Sequence, residues 1–305
     1  METIKAHGTA NDFVVVPDLD DEVALSADLV RALTDRRRGV GGDGVIRIGA
    51  APADQPDADV FMDYRNADGT IVETCGNGVR VTAKVAVDHH LAVPDADGTL
   101  RIATRAGTKP VTVHHAADGT VDEVAVDMGP PILTPAEVPF EADDPADAEV
   151  VTHELDVDGT ALEVGVVSMG NPHVVTLVDD VDAAPVTTLG PRLEHHPRFP
   201  AKVNAGFAQV VDRTTIRLRV WERGVGETAA CGTGACAAVV ALQRRGLLGE
   251  RVAVHLPGGV LTIAHRPGSS VTMTGPAVEV GRLHLDDAWL AAVAAADGVT
   301  ENSAP

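Results

Sequence analysis

The sequence predicts an α+β protein of two pseudo-symmetric halves, each a mostly antiparallel sheet wrapped around a buried central helix. Three observations predict it. Short runs alternate apolar and polar residues, the period of a half-buried strand. Two longer stretches are apolar on nearly every side, the mark of helices buried all round. The pieces also recur in order: Cys75-Gly76-Asn77-Gly78 returns as Cys231-Gly232-Thr233-Gly234, Asn11-Asp12-Phe13-Val14-Val15 as Asn171-Pro172-His173-Val174-Val175, and Met128-Gly129-Pro130 as Met273-Thr274-Gly275-Pro276.

The strand signals fall at Thr3–His7, Phe13–Val16, Val45–Ile48, Val60–Tyr64, Leu100–Thr104, Pro110–His114 and Val121–Met128. Asp118-Gly119 and Asp158-Gly159 are hairpin turn signals. Ser26 is placed to cap a short amphipathic helix whose apolar residues are Leu29, Val30 and Leu33. The two buried helices are expected over Gly76–Leu91 and Gly232–Arg245, the second rich in small residues that allow close strand approach and ended by Gly246. The halves divide the chain into residues 1–128 plus 277–305, carrying Cys75, and residues 129–276, carrying Cys231. The acidic stretch Glu141–Glu149 reads as a loop excursion and Asp297–Pro305 as a disordered tail.

The 305 residues suffice for two cores. With 45 acidic against 24 basic residues the net charge is −21, and the lysines number only four: Lys5, Lys84, Lys109 and Lys202. Such a surface repels nucleic acid and anionic membranes, so neither is an expected partner. It also suits a high-salt cytoplasm that screens self-repulsion; a melting temperature that stays flat from low to molar salt would remove that idea. Three cysteines without framework spacing argue against a disulfide-stapled secreted domain. No secretory signal and no membrane-spanning run is visible, so a cytoplasmic location is expected.

A cysteine before a helix N-terminus meets unpaired backbone N–H groups and the positive end of the helix dipole, both of which favour thiolate. The same N–H groups bind carboxylates, and glycines let the ligand approach. Each Cys-Gly-x-Gly turn therefore offers a base and an anion hole in one place. Two facing turns would hold a carboxylate-bearing carbon between a thiolate and a thiol. One sulfur removes the α-proton and the other protonates the opposite face, with the helix ends stabilising the carbanion and no cofactor required. Plainer readings exist. Cys236, mid-helix among alanines, reads as packing. A zinc site or a redox dithiol lacks its CxxC or compact Cys/His pattern, and a phosphate loop lacks its lysine, so no metal is expected. The pairs His89-His90, His114-His115 and His195-His196 would point to opposite faces if they lie on strands. Arg36-Arg37-Arg38 reads as the basic end of a helix.

On these residues the chain resembles the diaminopimelate epimerases. The motifs are His7-Gly8-Thr9-Ala10-Asn11-Asp12-Phe13, Arg38-Gly39-Val40-Gly41-Gly42-Asp43-Gly44, Asn66-Ala67-Asp68-Gly69, Cys75-Gly76-Asn77-Gly78-Val79-Arg80, Gly170-Asn171-Pro172-His173, Glu222-Arg223-Gly224, and Gly226-Glu227-Thr228 leading into Cys231-Gly232-Thr233-Gly234-Ala235-Cys236. The resemblance implies interconversion of LL- and meso-2,6-diaminopimelate in lysine biosynthesis by a cofactor-independent isomerase. It implies Cys75 and Cys231 as the acid–base pair, and Asn11, Asn66, Asn171, Asn204 and Arg223 at the polar ends of the substrate. Glu222 would lie near the substrate amine and His173 near a catalytic sulfur, both tuning protonation. Gly76-Asn77 and Gly232-Thr233 would bind the reacting carboxylate. It also implies a homodimer.

The residues alone leave plainer roles open: a turn for Asn66, caps for Asn11 and Asn171, a surface ion pair for Arg223, a core histidine for His173. Three positions depart from the pattern. Ala10 replaces a usual glycine, Gly44 stands where some members carry a substrate-contacting glutamine, and Gly281 stands where some have an aromatic dimer contact. The nearest rival, a proline-racemase-like enzyme, is disfavoured by Asn77 and by Ala229-Ala230 before the second cysteine. A racemase of another amino acid and a non-catalytic amino-acid binding module remain alternatives.

Overall fold

The computed structural model describes residues 1–301 apart from 74, 145 and 147, with no side-chain description for 296–301. It divides into two compact units: Met1–Val126 with Gly275–Pro305, and Asp127–Thr274.

Unit 1 runs β1 (Glu2–Gly8), β2 (Asn11–Pro17), α1 (Ala27–Thr34), β3 (Gly44–Gly49), β4 (Val60–Asn66), β5 (Ile71–Val72), α2 (Gly76–Asp88), β6 (Thr99–Ala103), β7 (Lys109–His115) and β8 (Val121–Asp127). Unit 2 runs β9 (His153–Val157), β10 (Thr160–Ser168), β11 (Pro172–Leu177), α3 (Val186–Glu194), β12 (Asn204–Asp212), β13 (Thr215–Glu222), β14 (Gly226–Thr228), α4 (Gly232–Arg244), β15 (Arg251–Leu256), β16 (Gly259–Ala264) and β17 (Thr272–Pro276). Within β17 the chain passes back to unit 1, which ends with β18 (Val278–His284) and α5 (Asp287–Glu301).

Each unit repeats one pairing scheme. In unit 1, β18 pairs β1 and β1 pairs β2 antiparallel, β2 pairs β3 parallel, β3 pairs β4 antiparallel, β4 pairs β6 parallel, and β6, β7 and β8 follow antiparallel, with β5 laid on β4. In unit 2 the same polarity runs through β9, β10, β11, β12, β13, β15, β16 and β17, with β14 laid on β13. The register repeats as well. Phe13 faces Gly44 across the first parallel pair of unit 1, and His173 faces Asn204 in unit 2. Parallel pairing needs a crossover, and the helices supply it: α1 and α2 in unit 1, α3 and α4 in unit 2.

The central helices are α2 and α4, each packed against strands of its own unit. In α4, Gly234–Leu242 are all buried, and small residues permit the packing: a Cβ at Gly165 of β10 would come within 2.9 Å of Ala241 Cβ. Gly246, at φ +72°, donates its N–H to Gln243 C=O while Leu247 N–H reaches Leu242 C=O, a Schellman stop. In α2 the apolar expectation fails in part, because Arg80 and Lys84 are buried in it. Each is paid for by hydrogen bonds: Lys84 Nζ to Asp88 at 2.7 Å and to Val121 C=O at 2.5 Å, and Arg80 to Thr9 Oγ1 and Asn77 Oδ1 at 3.1 and 2.9 Å.

The smaller helix α1 is capped by Ser26, whose Oγ accepts from Leu29 N–H at 3.1 Å, and buries Val30 and Leu33 against Val14, Val16 and Val45. Its counterpart α3 places Leu193 in a cluster with Phe207, Ala205 and Val174. Helix α1 ends at Thr34, so Arg36–Arg38 follow it rather than end it. His89-His90 and His195-His196 lie at helix C-termini, not on strands. His90 takes φ 58° and serves as the left-handed stop of α2. The stretch 141–149 is a loop in its described residues. The expected tail is helical as far as Glu301 within α5, and residues 302–305 lie outside the described residues. No helix among the described residues is long and apolar enough to cross a membrane.

Candidate active site

Both cysteines singled out in the sequence are helix N-caps. Cys75 precedes α2 with φ −150° and ψ 118°, and Cys231 precedes α4 with φ −120° and ψ 110°. Extended backbone at that position aims the side chain back over the first turn, whose leading N–H groups have no intrahelical acceptor. In unit 1 those groups belong to Gly76, Asn77 and Gly78; in unit 2 they belong to Gly232, Thr233 and Gly234. The glycines leave little spare room in unit 2. A Cβ at Gly234 would press on Cys231 Sγ at 3.2 Å, and one at Gly232 on Met273 Sδ at 2.9 Å.

Around Cys75 lie two neutral amides. The thiol lies 3.9 Å from Asn11 Oδ1, to which Asn77 Nδ2 also donates at 3.2 Å. Asn77 Oδ1 in turn accepts from buried Arg80. Asn66, at the end of β4, accepts from Tyr64 Oη at 3.1 Å and donates to Thr70 Oγ1 at 3.1 Å, so its side chain does hold the turn into β5. Gly44 is a necessity here. A Cβ at that position would meet Arg65 C=O at 2.4 Å and the Tyr64 ring at 2.6 Å, so a glutamine has no room.

Around Cys231 the partners include a carboxylate, and the thiol itself is buried. The residue is 4% exposed. Its Sγ accepts from Gly234 N–H at 3.4 Å and lies 3.5 Å from Thr233 Oγ1. Burial pushes the thiol well above its ordinary pKa, and the Glu222 carboxylate adds to the rise, while Thr233 and Gly234 oppose it. Glu222 is itself raised, chiefly by burial, although hydrogen bonds from Thr228 and Cys231 stabilise its charge. The expectation of a thiolate at each helix end is therefore corrected for Cys231. The helix N–H groups pull toward thiolate, but desolvation and an adjacent carboxylate outweigh them, and Cys231 is a thiol hydrogen-bonded to Glu222.

Further residues of unit 2 surround this pair in sequence and register. Asn204 pairs with His173 across the parallel strands. Its Nδ2 donates to Pro172 C=O at 3.0 Å and its Oδ1 accepts from Arg223 N–H at 2.8 Å. His173 is buried and lies 3.0 Å, through Nε2, from Asn171 Oδ1. Burial, with help from Arg223, lowers its pKa to about 3, so the ring is neutral and donates Nε2–H to the amide. The Arg223 guanidinium is exposed and donates to Ala201 C=O at 2.8 Å. Among the described residues it has no carboxylate within ion-pair distance. Glu194, at the end of α3, is buried and accepts from Trp221 Nε1 at 2.8 Å and Gly224 N–H at 3.0 Å, bracketing Glu222 and Arg223. Glu194 carried no sequence signal, because α3 contains Pro191 and lacks an N-capping side chain. Thr228 was visible only as part of a motif. Cys236 is wholly buried in α4, as packing requires. Among the described residues no cluster of His, Cys, Asp and Glu has metal-binding geometry.

The diaminopimelate epimerase family model matches residues 3–134 and 165–280. The chain belongs to the diaminopimelate epimerase family. The diaminopimelate epimerase of Azotobacter vinelandii is 47% identical over 277 residues, covering 90% of this chain and 95% of that protein. That of Thioalkalivibrio sulfidiphilus is 50% identical over 278 residues, with the same coverage of 90% and 95%. Among solved structures, a probable proline racemase from Agrobacterium radiobacter K84 aligns with a TM-score of 0.65 at 17% identity, covering 94% of this chain and 93% of that one. At that identity the likeness is one of fold, and it extends the two-unit α+β architecture beyond the family.

Proposed function

We propose that this epimerase-family chain interconverts LL- and meso-2,6-diaminopimelate, a step of lysine biosynthesis, with Cys75 and Cys231 as the acid–base pair. One sulfur takes the α-proton, breaking C–H and forming S–H. The electron pair passes into the carboxylate system, and the other sulfur returns a proton to the opposite face of the carbon. The observation that carries the reading is the helix-capping cysteine in each unit of a chain in this family. Cys231, held as a thiol beside Glu222, is suited to give the proton.

The carboxylate of the reacting centre fits the backbone N–H groups of Gly76-Asn77 and Gly232-Thr233, where a helix end stabilises growing negative charge. Asn11, Asn66, Asn171 and Asn204 supply amides for the polar ends of the substrate. Arg223, with a charge that no carboxylate among the described residues neutralises, suits the distal carboxylate through two parallel hydrogen bonds. Glu222 suits the substrate ammonium, and neutral His173 orients Asn171. The reading uses no cofactor and extends to a homodimeric, cytoplasmic enzyme, whose oligomeric state sedimentation velocity measures.

Turnover in D2O with LL-diaminopimelate, proline, lysine and histidine side by side tests the proposal. Deuterium should enter the α-position of diaminopimelate alone. Uptake into proline or another monoamino acid in its place overturns the substrate, and no uptake with any of them favours a binding module.

A further inference from the structure

The segment Arg38-Gly39-Val40-Gly41-Gly42-Asp43-Gly44 has no part in the chemistry above, yet it ends beside the first substrate-binding amide. Asp43 is joined to the Asn11 turn three times. Its backbone N–H donates to Asp12 C=O at 2.7 Å, its Oδ2 accepts from Asp12 N–H at 3.2 Å, and the same oxygen accepts from Asn11 Nδ2 at 2.8 Å. Its own C=O accepts from Ala67 N–H at 3.1 Å, in the turn that carries Asn66. The other carboxylate oxygen takes Arg36 Nη2 at 2.8 Å, and Arg36 also grips Asp12 with two nitrogens, at 2.8 and 2.7 Å.

An asparagine side chain has two nearly isosteric faces, one donating and one accepting, and its neighbours decide which points where. A carboxylate can only accept. With Asp43 on one side, Asn11 must turn its Nδ2 there, and its Oδ1 then faces Asn77 Nδ2 and Cys75 Sγ. We propose that Asp43 is a positioning residue of the epimerase, fixing the orientation of the Asn11 amide so that its oxygen faces the Cys75 turn. The role is specific to unit 1. In unit 2 the counterpart amide, Asn171, has its oxygen held by His173, so the two asparagines are locked in opposite senses. Arg36 completes the device, since its contacts hold the carboxylates of Asp12 and Asp43 in place.

The inference rests on the reading of Asn11 as a substrate-site residue, and a double-mutant cycle separates the two. The variants are Asn11→Ala, Asp43→Ala, Asp43→Asn and Asn11→Ala/Asp43→Ala, assayed for kcat and KM with LL-diaminopimelate and for melting temperature. Asp43→Ala removes a charged acceptor and should lower kcat/KM about 10- to 100-fold. Asp43→Asn keeps one carbonyl oxygen and should recover part of that. With Asn11 already truncated, removing Asp43 should cost less than about 3-fold, because it acts through that amide. If the two losses multiply, or Asp43→Ala leaves kcat/KM intact while Asn11→Ala lowers it, the positioning role is overturned and the site reading stands. If Asn11→Ala itself is without effect, the reading of Asn11 fails first. A fall in melting temperature that accounts for lost activity in every Asp43 variant also overturns the proposal, since it assigns Asp43 an effect on turnover in the folded enzyme.

Discussion

Cys75 and Cys231 occupy the same place in two copies of one topology, and their surroundings differ. Cys75 is half-buried with the oxygen of a neutral amide at 3.9 Å, and the charges of unit 1 sit one step further out, where Asp12, Asp43, Arg36 and Lys5 pair with one another. Cys231 is buried and shares a hydrogen bond with a carboxylate that is itself reluctant to ionise. The scaffold thus sets what the copies have in common: a sulfur at a helix N-terminus. Neighbouring side chains set what differs: a carboxylate beside buried Cys231 and a neutral amide beside half-buried Cys75. An epimerase working on two faces of one carbon needs this asymmetry, because one sulfur must be poised to give a proton while the other takes one.

The largest effects should come from the sulfurs. Cys75→Ser and Cys231→Ser should each fold, and each should lose about 10²- to 10⁴-fold in turnover, the range for removing a general acid or base. Near-full activity in either breaks the two-base scheme. Alkylation sharpens the comparison. At pH 8 iodoacetamide should label Cys75 well before Cys231, which is 4% exposed and held as a thiol. Equal rates, read by peptide mass spectrometry, would erase the difference between the two sites.

Glu222 gives the next effect, with activity and stability moving in opposite directions. Its folded pKa is raised, so its contribution to stability is fully present below the ordinary carboxyl value and is lost as pH rises through the raised one. Glu222→Gln should therefore lower turnover while raising the melting temperature, and the gain should be larger at pH 8 than at pH 4. A melting temperature that falls at pH 8 would mean that the carboxylate is needed for the fold.

Much of this was legible in the sequence, for reasons the two units make plain. Cys75 and Cys231 were readable because a cysteine between extended residues and a Gly-rich helix start is a local pattern, and local patterns fix caps. The strands of unit 1 were readable from alternation. The second unit gave fewer strand signals because β11 and the second half of β10 are buried on both faces, where alternation disappears. What the sequence hid is non-local. Burial of Arg80 and Lys84 in α2 depends on partners far off in the chain, Thr9 before the helix and Val121 after it. The protonation of Cys231 depends on Glu222, which reaches it only because β13 and β14 form a hairpin. No spacing rule encodes that desolvation outweighs a helix dipole.

His173 offers a smaller effect of definite sign. Burial lowers its pKa to about 3, so the unfolded chain takes up a proton below about pH 6.5 that the folded unit refuses. Stability is present above the ordinary histidine value and is lost progressively as pH falls toward 3, with a slope of up to about 1.4 kcal/mol per pH unit from this group. His173→Gln should flatten the pH dependence of urea unfolding between pH 6.5 and 4 by about one proton. In unit 1 Phe13 holds the corresponding register position. An unchanged slope would show that His173 is protonated in the folded protein.

The smallest effect lies at the turn before each leading asparagine. Unit 2 has Gly170 there, at φ +91°, whereas unit 1 has Ala10 at φ 63°, next to Thr9 at φ 49°. A non-glycine residue in the left-handed region costs about 1–2 kcal/mol, and part of that is returned because alanine is less free than glycine in the unfolded chain. Ala10→Gly should thus stabilise by about 1 kcal/mol, roughly 2 °C in melting temperature, and Gly170→Ala should destabilise by a similar amount. Nothing lies within 4 Å of a Cβ at Gly170, so that cost would be backbone strain alone. If Ala10→Gly raises stability but lowers kcat, the strain at Ala10 helps hold Asn11 in place, and the departure from glycine at this turn is functional rather than merely tolerated.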